Sequence, residues 1–294
     1  MGQSHIRFKS KYFKSDKMDE HIIEALGKSK IVIKDGKIVN IGEPKIDYCP
    51  LFHKHRNIEK LTKDKIKENI EFRIKDFGMC TAEREIRMKD FLTFGISEIT
   101  SSLIEENIID CAVMVCEGCG TVILDNPEIV QGVGGRVSGL IKTSPIPEII
   151  EKIGIENVAD PKNTTINQVE GVKLAINRGF KNIVVTFAGC DGLNEIQKLK
   201  DSNPDVNIYI FGVHTTGLSK KDASELISNC EIITACASKY VWEICEENNV
   251  YKVGESVPIY AITPKGAEFL KLRLDKIGGV KPKKDNPRIP EPLI

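Results

Sequence analysis

The sequence has no apolar run long enough to cross a bilayer, which excludes a helical membrane span within its 294 residues. It also has no net charge, since 42 basic side chains balance 42 acidic ones. There is thus no global basic field to hold nucleic acid, and no acidic tail. The opening MGQSHIRFKSKYFK is basic but lacks an apolar core, so it does not read as a secretory signal. Gly2 lacks the Ser or Thr that myristoylation needs at the sixth position, where Ile6 stands. Neither a Walker lysine-hydroxyl pair nor a dinucleotide glycine fingerprint occurs. These absences imply a cytoplasmic protein without a membrane or nucleic-acid partner.

What is present begins with nine cysteines. Without an export signal they read as reduced thiols, and the default role of a buried free thiol is packing. Several nevertheless fall where short apolar runs stop. The run 112–115 ends in the C-x-x-C of Cys116 and Cys119. Residues 182–188 run into Cys190, residues 206–213 into His214, and residues 231–235 into Cys236. Short β-branched runs bounded by turn residues read as buried strands. If these strands are parallel, their carboxyl ends share one edge, where open α/β sheets bind ligands. Cys116, Cys119, Cys190, His214 and Cys236 are therefore expected to face one crevice.

Residues 16–26 read as an amphipathic helix ended by Gly27, followed by a hairpin over 31–41 turned by Asp35-Gly36. Cys49, His53 and His55 then lie within seven residues, either as metal ligands or as an ordinary loop. A helix spans 62–75, with Ile66, Ile70 and Ile74 on one face. A second helix is predicted from Thr81 to about Glu106, kinked near Gly95. Cys80 would then precede a helix N-terminus, which favours a thiolate.

Gly132, Gly134, Gly135 and Arg136, within QGVGGRVSGL, read as a mobile loop or as a weak anion cradle for a cofactor. From Ser144-Pro145, which opens a helix through Lys152, helices and strands alternate. A short strand at 157–159 is followed by helix 166–177, strand 182–188, helix 192–200, strand 206–213, helix 219–229, strand 231–235 and helix 239–247. Strands near 250–253 and 257–262 and a helix from Pro264 to Ile277 complete the pattern.

Regular strand–helix units predict a Rossmann-like α/β body, a mostly parallel sheet covered by helices on both faces, over residues 107–277. Residues 1–106 form a smaller N-terminal α+β part packed over the strand ends. Residues 278–294 form a Pro-rich tail, extended or disordered unless it docks.

Four stretches together, KIDYCPLFHKHR, DFGMCTAERE, VCEGCGTVI and NPEIVQGVGGRVSGLIKTSPIP, resemble the methanogenesis marker protein 8 family. That archaeal family has no assigned reaction. The resemblance covers most of the chain. It implies a methanogenic archaeon, a cytoplasmic setting and a role near methyl-coenzyme M reductase or its maturation proteins. It brings no catalytic residues with it.

The cysteines admit three readings. Cys116, Cys119, Cys190, His214 and Cys236, with Cys80 and Cys49, form a soft donor set suited to zinc or an iron–sulfur cluster. Alternatively, a nucleophilic Cys80 or Cys116 assisted by His214 acts on a small anionic ligand. In the third reading the cysteines are core, and the body is a non-enzymatic assembly or binding factor.

Overall fold

The computed structural model describes residues 19–90, 92, 94–137, 139–279 and 287–294. The basic N-terminal stretch, the start of the helix expected at 16–26 and the first part of the tail lie outside them.

The described chain opens with strands. β1 (Glu20–Ala25), β2 (Ser29–Lys34) and β3 (Lys37–Ile41) pair antiparallel. The helix expected over 16–26 is thus corrected to a strand. His21 and Ile23 point inward with the period of two that a strand imposes, and β1 is paired on both sides. The hairpin at 31–41 forms as expected from its Asp-Gly turn.

Next come α1 (Pro50–Arg56) and α2 (Lys63–Phe77). Thr62 caps α2 by accepting from the Lys65 N–H at 3.3 Å, and Ile66 and Ile70 are fully buried beneath it. Gly78 ends α2 in the left-handed region. No helix follows among the described residues before α3 (Ile96–Glu105), so the long kinked helix predicted from Thr81 is corrected. The segment after Gly78 runs as turn and extended chain, tied by the Glu85 N–H to Phe77 and by the Met88 N–H to Glu128.

β4 (Cys111–Cys116) and β5 (Gly120–Leu124) form an antiparallel hairpin. The C-x-x-C is its turn. Gly118 and Gly120 adopt φ of 80° and 70°, and a Cβ on Gly120 would lie 2.3 Å from the Thr164 carbonyl oxygen. α4 (Pro127–Gly134), capped by Asn126, contains Gly132 and Gly134 and ends at Gly135. The glycine-rich stretch is therefore helix over residues 131–134 and turn at Gly135 and Arg136. A Cβ on Gly132 would meet the Ile86 carbonyl oxygen at 2.1 Å, so close packing requires this glycine. β6 (Gly139–Lys142) crosses back to pair with β1, so the small sheet has the order β3-β2-β1-β6. α5 (Pro147–Ile153) begins three residues after Ser144, and a 3-10 turn with one bridge at Val158 replaces the strand expected at 157–159.

The expected alternation then appears: α6 (Gln168–Asn177), β7 (Asn182–Phe187), α7 (Leu193–Ser202), β8 (Asn207–Gly212), α8 (Lys220–Asn229), β9 (Ile232–Thr234) and α9 (Lys239–Glu247). The short strands β10 (Lys252–Val253) and β11 (Ile259–Ala261) precede α10 (Pro264–Lys276). The large sheet has the order β10-β11-β9-β8-β7-β4-β5. Strands β4, β7, β8 and β9 are parallel and step in one direction, flanked by β5 and β11, which run antiparallel to them, and β10 pairs antiparallel with β11 at the edge.

Successive residues of β4 point to opposite faces. Cys111 and Val113 join a core with α6 to α9, and Ala112, Met114 and Cys116 join a core with α3, α4, α5 and α10. The described end of the tail docks. Glu291 exchanges backbone hydrogen bonds with Tyr48, and Ile294 bonds Ala237, Gly217 and Lys239. Among the described residues, no helix is long and apolar enough to cross a membrane.

Candidate functional site

The carboxyl ends of β7, β8 and β9 open into a cavity of about 1090 Å³. Thr186, Ala188, His214 and Cys236 line it from the large sheet and its strand ends, together with Glu24 of β1, Lys28 of the turn between β1 and β2, and His53 of α1. A side chamber of about 310 Å³ adjoins it. The two cavities share Lys28, Gly135, His214 and Cys236 in their walls.

Of the sequence-predicted residues, the structure brings Cys236, His214 and Cys49 to this chamber. Burial, and then the neighbouring Cys49, push the Cys236 thiol up to about 11. Cys49 caps α1 ahead of Pro50, and burial raises its thiol as well. His214 leaves β8 in the left-handed region at φ 51°. Burial, and then the charges of Arg73 and Lys28, hold its imidazole down at about 4, so it is neutral at pH 7. Gly134 and Gly135 line the cleft, and Arg136 lines the chamber.

The other cysteines lie elsewhere. Cys116 and Cys119 have no exposed surface and sit in the core beneath α4 and α5. The Cys116 thiol donates to the Glu117 carbonyl at 3.4 Å. A hydrogen bond with Cys116 and burial both raise the Cys119 thiol. Cys190 is half-buried and donates to the Asp222 carbonyl at 3.2 Å. Cys80 is fully buried at φ 59°, and no helix starts after it. The expected low-pKa thiol is corrected, since burial, and then Glu117, push Cys80 well above the ordinary range. The five strand-end groups therefore do not share one crevice. Among the described residues, no three His, Cys, Asp or Glu side chains gather around a common point as metal ligands would.

Apart from Arg136, the sequence reading missed the basic cluster around Phe77. The guanidinium carbons of Arg136, Arg84 and Arg73 lie 4.8, 4.9 and 5.8 Å from its ring centroid. Arg84 and Glu117, each about 1% exposed, form an ion pair at 3.4 Å, and Arg84 also donates to the Gly132 carbonyl at 3.1 Å. Arg73 donates to the Arg136 carbonyl and is held down at about 10, chiefly by burial. A signal for it was present. Ile66, Ile70, Arg73 and Phe77 follow the 3.6-residue period, so an arginine stands on the buried stripe of α2. Nothing local marks Lys28, which faces the chamber because β1 turns into β2 there.

The comparisons with known proteins agree with one another. A family described as "Uncharacterized protein conserved in archaea (DUF2099)" matches residues 21–275. An uncharacterized protein of Methanocaldococcus jannaschii, MJ0054, is 44% identical over 268 residues, covering 88% of this chain and 93% of that protein. The chain belongs to this archaeal family.

Proposed function

We propose that this member of the archaeal DUF2099 family binds a small molecule with an apolar body in the cleft at the carboxyl edge of its large sheet. The observation that carries the reading is the cavity of about 1090 Å³ at the ends of parallel strands. Its volume is that of a cofactor-sized site, and an apolar wall with a few convergent polar groups is what such sites present. His214 as a neutral imidazole and Cys236 as a protonated thiol supply hydrogen-bonding groups at its floor. A thiolate mechanism is less well supported, because burial works against the thiolate of Cys236.

Helices on both faces and a crevice at strand carboxyl ends support a Rossmann-like body. The four sequence stretches support the methanogenesis marker protein 8 name. With that name come a cytoplasmic setting and an accessory role beside methyl-coenzyme M reductase or its maturation proteins.

A second reading places a metal in the same region. Cys49, His214 and Cys236 line one chamber without meeting at a common point, so an ion would have to draw them together into the set of two sulfurs and an imidazole that zinc accepts. They would hold the ion as a Lewis acid or structural centre. Stoichiometric zinc or iron in anaerobically purified protein, lost in Cys236→Ala, would establish this reading.

The test of the main reading uses 8-anilinonaphthalene-1-sulfonate, which joins an apolar body to an anionic group. Fluorescence titration of the folded protein is expected to show one saturable site. Ala188→Trp, which fills the cleft from an exposed strand-end position, is expected to weaken it by at least about tenfold. The absence of a saturable site, or an unchanged affinity in Ala188→Trp, overturns the reading.

A further inference from the structure

The cations lining the side chamber are already engaged within the protein. The Lys28 ammonium donates to the Thr216 carbonyl and lies 3.7 Å from Glu24. Arg73 donates to the Arg136 carbonyl, and Arg136 donates to the Glu85 carbonyl at 3.4 Å. Arg56 is exposed, with its guanidinium 4.6 Å from the Phe72 ring centroid.

What the chamber leaves open is an uncharged acceptor. Asn69 lines it at 6% exposure, and its Oδ1 is buried with no hydrogen-bond partner among the described residues. The residue stands on the inward stripe of α2, beside the fully buried Ile66 and Ile70. An apolar side chain would pack there without burying a polar atom. Buried polar atoms are nearly always paired, so an orphan acceptor facing a cavity calls for a donor that the chain does not supply.

The rest of the wall narrows that donor. Ile46, Phe52, Met88 and Ala237 give the chamber an apolar lining, which suits a group without net charge. His214, shared with the cleft, is held neutral by burial and then by the charges of Arg73 and Lys28, and the same surroundings oppose an ammonium. A carboxylate or phosphate, in turn, has no hydrogen to give Asn69. A neutral imidazole carries one N–H and one acceptor nitrogen. The chamber thus offers an acceptor at Asn69 and a donor at His214, and a group with an N–H beside a C=O answers both.

We infer that the side chamber takes an uncharged carboxamide group, its N–H donating to the Asn69 oxygen and its carbonyl accepting from His214. This assignment rests on the reading of the adjoining cleft as a ligand site and deepens it. The ligand's apolar body lies against the strand ends while its amide end enters the chamber. At about 310 Å³ the chamber holds far more than one water and has room for the group.

The experiment titrates the whole chain with naphthalene-2-carboxamide, its methyl ester analogue and naphthalene-2-carboxylate, each followed by naphthalene fluorescence. The three share one apolar body. The ester keeps the carbonyl but has no N–H, and the carboxylate puts an anion in place of the amide. The amide is expected to bind saturably and at least about tenfold more tightly than either, the effect of one hydrogen bond to an otherwise unpaired buried acceptor. Asn69→Leu, close in outline but without the acceptor, is expected to weaken the amide by about tenfold and to leave the ester unchanged. Its denaturant midpoint is expected to be no lower than that of wild type, because it removes an unpaired polar atom.

No saturable amide binding, or amide affinity no greater than that of the ester or the carboxylate, overturns the assignment on wild-type protein alone. A loss in Asn69→Leu that is equal for amide and ester overturns it as well. If 8-anilinonaphthalene-1-sulfonate still saturates one site in those cases, the cleft reading survives by itself. If neither the naphthalenes nor the sulfonate saturate, both readings fall.

Discussion

Two turns at the same edge of the large sheet have opposite surroundings. The turn of Cys116 to Cys119 closes an antiparallel hairpin and is sealed, with both sulfurs at zero exposure beneath α4 and α5. The turns after β8 and β9 are open and give His214 and Cys236 to the cleft and its side chamber. The difference arises from the element that succeeds each strand. β4 returns at once as β5, so its turn is packed from above by the chain leading into α5, where the Ile146 N–H bonds the Gly118 carbonyl. β8 and β9 lead into helices on one face, which leaves their ends uncovered toward the small sheet. A C-x-x-C motif draws attention to itself, yet the accessible chemistry lies at two single residues with no motif.

The comparison can be broken most forcefully at Glu117. Removing its carboxylate leaves the Arg84 charge buried without its partner, so Glu117→Ala is expected to cost roughly 3–5 kcal/mol in denaturant unfolding. An unchanged midpoint would show that the turn is not the sealed, charge-paired element described.

His214 sharpens the other side. Its imidazole titrates at about 4 in the folded protein and near the ordinary 6.5 when unfolded. The unfolded chain therefore takes up a proton first as pH falls. The associated stability is fully present above about 6.5 and is lost as pH drops toward 4. Wild type is expected to lose on the order of 2 kcal/mol more than His214→Asn over that window, asparagine being chosen because it tolerates the left-handed backbone. Parallel pH profiles would remove the case for a desolvated imidazole beside two cations.

The two classes of thiol give the smallest effects. Cys116→Ala opens a void in a dry core and is expected to cost about 1–2 kcal/mol, while Cys236→Ala, at a cavity wall, should cost less than about 1 kcal/mol. Thermal unfolding of both variants checks this order, and a reversal would exchange the roles of the two turns.

Much of the architecture was legible because local signals and tertiary structure agree from Ser144 onward. Strands 182–188 and 206–213 and the helices between them are short periodic segments with clear stops. The hairpin at 31–41 was legible for the same reason, through Asp35-Gly36. β1 was not, because EHIIEA carries two adjacent isoleucines that fit either period, and only pairing with both β2 and β6 selects the strand. The segment after Gly78 was misread as helix because its charged residues suit one. Arg84 instead turns inward to Glu117, a contact 33 residues away that local reading does not reveal.

At the site, His214 and Cys236 were found through their place at strand ends. Cys80 was misjudged because the helix that would have activated it does not exist. Of the basic chamber only Arg136 was anticipated, and Lys28 and Arg73 were missed because they come from two other segments.

The central claim is that binding belongs to the open turns and not to the sealed one. The most direct test is a Cys116→Ala/Cys119→Ala double variant, purified anaerobically and compared with wild type for metal content and for affinity toward 8-anilinonaphthalene-1-sulfonate. The account predicts lower stability with unchanged metal content and unchanged probe affinity. Loss of stoichiometric zinc or iron from the double variant, or loss of probe binding while the protein remains folded, would contradict it.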